Sequence, residues 1–448
     1  MRQAISLDTL QKLGKQFDGS ANGKLAMNAV TKSGIAAVSV DSDVKRRMRY
    51  AFSVELKTGK VTSQNASGRC WMFAALNTMR TRVMEKLNLE TFELSQNYPL
   101  FYDKLERANY FFENILETLS EPLDSRTVAF LLSGPMGDGG QWDMFASLVT
   151  KYGVAPKDQM PETYHSSNTG MMRKFLTIKL RQYACELRES YAAGASVERL
   201  RARKDDMLRD IYHILCVCLG RPPERFTFEV RDKDGAFIRD TSITPVEFFK
   251  KYVDMDFSQY VSLINAPTGD KPFGRTYTVK FLGNVKGGQP VKYLNLPVED
   301  LKAAAIKQMQ SGQPVWFGSD VGQWLLGDWG CMDTGAFDFD AVLGSSVSMT
   351  KAQRLDYGES VMTHAMVFQG VNLDENGKPD RWKVENSWGD KAGNEGWYIM
   401  SDPWFDEYTY QVLVDKRFLT EEQRGMWEQD PIELKPWDPM GSLALTGV

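Results

Sequence analysis

The period of the hydrophobic pattern changes along this chain, and that change limits the folds open to it. From Trp71 to Leu87 the apolar residues Met72, Leu76, Met79, Val83 and Leu87 recur at helical spacing, and related patterns cover Asn97 to Thr118 and Gln141 to Tyr152. After a helix expected at Asp300 to Met309, the chain breaks into short apolar runs: Val315 to Gly318, Ala365 to Val371, Trp382 to Asn386, Trp397 to Met400 and Tyr408 to Val414. Such runs predict strands of a largely antiparallel sheet. Helices gathered first and strands gathered later give an α+β fold, with a helical half and an antiparallel, β-barrel-like half.

Between the halves, charged helical stretches (Leu176 to Tyr191, Val197 to Leu219) lead into Phe226 to Ile238, which alternates like a hairpin strand. This segment reads as an insertion. The expected organisation is an N-terminal arm (1–60), a helical unit (61–163), the insertion (164–288), a β unit (289–432) and a C-terminal arm (433–448). Pro436, Pro439 and Gly441 lie in that last arm, without helical or strand periodicity, so it is expected to be extended.

Composition removes several function classes. A formal charge of −4 gives no general attraction to phosphate backbones, so nucleic acid is not an expected partner. The N-terminus lacks the apolar core of a secretory signal and no long uncharged apolar stretch is found downstream, so neither export nor membrane insertion is expected and the reading is cytoplasmic. Five cysteines, at 70, 185, 216, 218 and 331, fit free thiols in a reducing compartment. His213 and Cys216 share a helix face but fall two ligands short of a closed zinc site, so core packing is expected for them and no metal or other cofactor is implied. Cys185 and Cys331 are taken as structural, and His165 as a surface or interface residue. The loop GPMGDGG is not followed by GK[ST], which argues against a phosphate cradle.

Cys70 stands where the first helical pattern begins. A thiol is a useful nucleophile as thiolate, and a helix N-terminus, an adjacent imidazolium and partial exposure all favour that form. Of the three histidines, His364 opens the apolar run HAMVFQGV, where a strand would hold its ring rigidly. Alternation along Trp382, Val384 and Asn386 points the Asn386 amide inward, where its oxygen would orient the imidazole. Trp388, two residues on, would cover that bond from water. Gln64, six residues before Cys70 across a loop with Ser67 and Gly68, would join the Cys70 backbone N–H as an oxyanion hole. Loss of one such donor typically costs about 3 to 4 kcal/mol of barrier stabilisation.

The blocks QNASGRCWMFAALN, THAMVFQGV and VENSWG with GWYIM resemble the three active-site blocks of papain-like cysteine peptidases, in the same order. Arg69 departs from the Ser or Ala usual before the nucleophile. His364 lies 294 residues beyond Cys70, against roughly 130 to 150 in papain-type chains, and segment 164–288 supplies most of the excess. That layout resembles the bleomycin hydrolase and aminopeptidase C group, with FELSQNYPLFYDKLERANYF, SGPMGDGGQWDM, YGVAPKDQMPETYHSSN and WDPMG extending the likeness along nearly the whole chain.

The resemblance implies a homohexamer enclosing a channel, active on peptide substrates. It also implies a C-terminal arm lying in the cleft, with its carboxylate facing a free amine, which gives aminopeptidase action. Family tails end near the position of Ala444, whereas Leu445 to Val448 continue here, so either self-trimming or a tail that leaves the cleft is expected. Gly139 and Gly140 resemble the backbone rail that holds a substrate strand. Two other readings stand beside this one: an endopeptidase with a displaced tail, and an oligomeric peptide- or nucleic-acid-binding protein with incidental hydrolysis.

Overall fold

The computed structural model describes residues 4–445. The helix Cys70–Lys86 is buried on every side through its first three turns, including Trp71, Met72, Phe73 and Leu76, so it runs through the interior instead of lying on the surface. Trp142–Tyr152 packs against it, and Asn97–Glu117 packs in turn against Trp142–Tyr152. Gly170–Ala192 and Val197–Leu219 form a helical pair laid against Asn97–Glu117, and the antiparallel hairpin Phe226–Arg231 and Phe237–Ile243 comes next.

Strands Tyr260–Ile264, Thr409–Asp415, Val315–Ser319, His364–Leu373, Pro379–Glu385 and Trp397–Ser401 pair antiparallel in that spatial order, at the centre of a twelve-stranded sheet among the described residues. Alternation sorts their side chains into two cores. Trp316, Ala365 and Val367 meet the helical half, while Val315, Phe317, Met366 and Phe368 face the opposite side. There Phe317 and Phe368 stack at 3.7 Å, and helix Val298–Gln310 covers the sheet with Leu301, Ala304 and Met309. The α+β class is therefore realised with the two halves that the hydrophobic pattern predicts.

Several expectations need correction. Tyr260–Ile264 and Arg275–Val279, within the segment expected as an insertion, are strands of the main sheet and not part of a separate helical and hairpin unit. The C-terminal arm is not extended: Pro439–Gly441 is a 3-10 turn capped by Asp438, and Ser442–Leu445 is a helical turn. Pro439 at the start of that turn initiates it, because its fixed φ suits a helical entry. The arm at 1–60 contains helices Leu7–Asp18 and Ala21–Ser33, capped by Ser6 and Ser20, neither with a buried residue. His213 is exposed and Cys216 only half-buried, so the pair is not core, and Cys185 is exposed as well. Cys331 is buried beside Val44 and Ile399.

Asp143, on the first turn of Trp142–Tyr152, is a buried carboxyl whose partners are the Gln289 amide (2.7 Å) and a long contact from the Lys292 backbone N–H. Burial without a cation pushes it up to about 7 from 3.8. A carboxyl raised in the folded state contributes stability below pH 3.8 that is lost as pH rises toward 7. Asp143→Asn, which keeps the shape, should therefore unfold alongside the parent near pH 4 and at a higher temperature than the parent at about pH 8. Parallel melting curves across that range count against this assignment.

Candidate active site

The sequence-predicted residues converge where the helical half meets the sheet. Cys70 is the first residue of its helix, preceded by Arg69 in a non-helical conformation. Its sulfur is approached by the backbone N–H groups of Ala365, Trp71 and Cys70 itself, so it lies against the peptide that joins His364 to Ala365. His364 begins its strand, opposite Ser319, and Asn386 directly succeeds the end of the neighbouring antiparallel strand. Both thus stand at one end of the sheet. His364 Nε2 lies 2.9 Å from Asn386 Oδ1, which also accepts from the Ser387 N–H at 2.8 Å. An amide oxygen only accepts, so the ring carries its proton on Nε2 and leaves Nδ1 bare.

Partial exposure of Cys70 is not observed: the residue is 4% accessible. Burial pushes its thiol up to about 11, against the three backbone N–H groups, and pushes the His364 imidazole down to about 4, against its bond to Asn386. Both shifts favour the neutral thiol and imidazole over the thiolate–imidazolium pair.

Trp388 is 39% exposed, with its ring 4.9 Å from that of His364 and edge-on to Tyr398, so it walls the outer side of the histidine. Gln64 is fixed by residues next to Asn386. Its backbone N–H donates to the Ser387 carbonyl (2.8 Å), and its Oε1 accepts from the Ser387 hydroxyl (2.6 Å). Its Nε2 donates to the Ser67 carbonyl, which uses one of the two amide hydrogens and leaves the second.

The loop before Cys70 is held by charges to which sequence reasoning assigns no role. Arg69, fully buried, makes a two-pronged pair with Glu162 (3.0 and 2.7 Å) and donates to the Ser67 hydroxyl. Asp138 accepts from the Gly68 N–H and from Thr169, and pairs with Lys104 at 2.8 Å. Burial acts to raise Asp138, but Lys104 and Arg173 outweigh it and hold the carboxyl at about 2. A lone acid among the glycines of GPMGDGG is the signal that points to it.

The tail lies between the helical half and the sheet. The Ser442 hydroxyl donates to the Met362 carbonyl (2.7 Å) on the sheet side, and the Tyr293 hydroxyl donates to the Met440 carbonyl (3.0 Å). On the helical side a Cβ built on Gly139 would stand 1.9 Å from the Leu443 carbonyl oxygen, and one on Gly137 would stand 3.0 Å from that of Ala444. Leu443 and Ala444 are both buried. Gly139 thus holds the chain's own tail. Gly140 has a packing reason, since its Cβ would stand 2.7 Å from the Trp71 ring. The expected trimming of Leu445 to Val448 concerns a stretch whose residues 446–448 lie outside the described residues. Among the described residues there is no cluster of metal-ligating side chains.

Residues 4–441 match the peptidase C1-like family. The chain is 48% identical to aminopeptidase C of Listeria monocytogenes over 445 residues, covering 99% of this chain and all of that one. It is 43% identical to bleomycin hydrolase of Gallus gallus over 430 residues, 94% of each. The crystal structure of PepW from Lactobacillus rhamnosis superposes with a TM-score of 0.97 at 48% identity, covering 98% of this chain and 99% of that one.

Proposed function

Because this chain belongs to the peptidase C1-like family and is a papain-type cysteine aminopeptidase, we propose that Cys70, His364 and Asn386 are its catalytic residues. The observation that carries the assignment is the 2.9 Å bond from His364 Nε2 to Asn386 Oδ1 at the strand end beside the Cys70 sulfur. His364 Nδ1 takes the thiol proton as the sulfur attacks the first peptide carbonyl, and returns it to the leaving amine. Water, deprotonated by the same nitrogen, then hydrolyses the thioester. The second Nε2 hydrogen of Gln64 and the Cys70 N–H receive the oxyanion.

The tail acts as the ruler. With Ser442 to Ala444 seated between Met362 and Gly139, the non-primed side is filled and only a free N-terminal residue fits ahead of the scissile bond. The chain terminus, as a carboxylate, pairs with the substrate's ammonium once the tail is trimmed to about Ala444. The experiment is a peptide series with free and N-acetylated ends, run on the parent and on Gly139→Val, with intact mass recorded. The parent releases single residues from free amines only. The valine side chain has no room beside the Leu443 carbonyl, so the tail leaves and acetylated peptides are cut internally. A Gly139→Val enzyme that still ignores acetylated peptides removes the ruler while leaving the triad assignment standing.

Six copies enclosing a channel complete this reading. Its support is the apolar surface left uncovered on single copies, Leu7, Leu10, Leu13 and Phe17 on one helix and Met171, Phe175 and Ile178 on another. A cytoplasmic setting suits five cysteines with no disulfide among them, and no helix of the described residues is long and apolar enough to cross a membrane.

A further inference from the structure

The strand that carries His364 is entered through Ser360–Thr363, and one buried carboxylate grips that segment. Asp320 comes directly after Ser319, the residue paired with His364, and is itself fixed by its N–H to the Tyr408 carbonyl (3.0 Å). Its Oδ2 accepts from the Ser360 hydroxyl (2.8 Å) and the Gln323 amide (3.2 Å), and its Oδ1 accepts from the Thr363 hydroxyl (3.1 Å). Ser360 also meets the Tyr410 hydroxyl at 2.7 Å, and the Thr363 N–H donates to the Ser319 carbonyl at 3.0 Å. Between these anchors, the Met362 carbonyl receives the tail's Ser442 hydroxyl. The hydroxyls of the segment are spent on holding the backbone one residue from the imidazole.

We propose that Asp320 is a positioning residue for His364, acting through Ser360 and Thr363. This role rests on His364 serving as the base. A ring entering from a backbone with two side-chain anchors has little freedom in tilt, and a misplacement of about 1 Å at a reacting group costs roughly 100-fold in rate. The hold is one of shape and hydrogen bonding more than charge, because hydroxyls accept as well as donate and an amide in the same place keeps both contacts.

Asp320→Ala should lower kcat per active site roughly 10- to 100-fold, with KM within about twofold of the parent. The sites are counted by epoxide titration, so loss of folded protein does not enter. The pH midpoint for alkylation of Cys70, read by mass on its own peptide, should move as the imidazole drifts. Asp320→Asn should recover kcat to within a fewfold. Turnover per titrated site and an alkylation midpoint both unchanged in Asp320→Ala would overturn the proposal, as would an asparagine variant no better than the alanine one. His364→Ala is run alongside: if it keeps turnover, the histidine assignment has failed and not merely the role of Asp320.

Discussion

Cys70→Ala is expected to lower hydrolysis of an aminoacyl fluorogenic substrate by roughly 10⁴- to 10⁶-fold, the loss typical when a nucleophile is deleted from a working triad. The fold should survive the change. Alanine is the best helix former, Cys70 heads a helix whose packing comes from Trp71, Met72 and Leu76, and only one sulfur atom is removed. The variant should elute as the parent does and lose labelling by an epoxide thiol reagent. A general alkylator is the wrong probe, because Cys185 is exposed and Cys216 and Cys218 are half-buried. Hydrolysis persisting at the parental rate in a homogeneous variant removes Cys70 from the mechanism.

Glu385→Ala should cost about 3 to 5 kcal/mol of stability, for a reason specific to its place. Glu385 is fully buried, pairs with Arg80 of the Cys70 helix at 2.5 Å, and accepts from the Gln369 amide at 2.6 Å. Burial raises its carboxyl despite Arg80, so the attraction between the two charges does not fully offset the cost of taking Glu385 out of water. Truncating one member is different, since it leaves the Arg80 cation in the interior with only the Lys60 and Gly59 carbonyls. Because Glu385 directly precedes Asn386, the same pair ties the cysteine's helix to the asparagine's strand, and kcat should fall with stability. Replacing both members, as in Arg80→Met with Glu385→Leu, should restore most of the unfolding temperature, as apolar replacements of buried pairs often do. Glu385→Ala melting with the parent would show that this pair holds nothing together.

The halves of the fold are legible because each has its own period: apolar residues from Met72 to Leu87 at helical spacing, and short runs such as Val315 to Gly318 at strand length. Several strands run a residue or more beyond their apolar runs, so ends such as Ser319 and Ser401 are poorly marked by hydrophobicity alone. Contacts between distant segments are hidden. Nothing near Arg80 announces Glu385, nothing near Gln64 announces Ser387, and Asp320 reads as one more acid after an apolar run. The turns of the tail escape a sequence reading because proline and glycine signal a break in periodicity without specifying the conformation beyond it. A 3-10 turn and a helical turn form there because Ser442, Leu443 and Ala444 find partners on both sides of the cleft. The burial of Cys70 is equally invisible, since a helix start says nothing about the segments that lie over it.

The seated tail changes how this enzyme could be inhibited. On the proposed ruler reading, a compound that imitates the residues upstream of a cleavage point competes with a segment covalently attached to its own target, whose effective concentration does not fall on dilution. Raising the dose against such a tethered rival is inefficient. Potency has to be found away from the tail, for example against Trp388, a partly exposed ring beside His364.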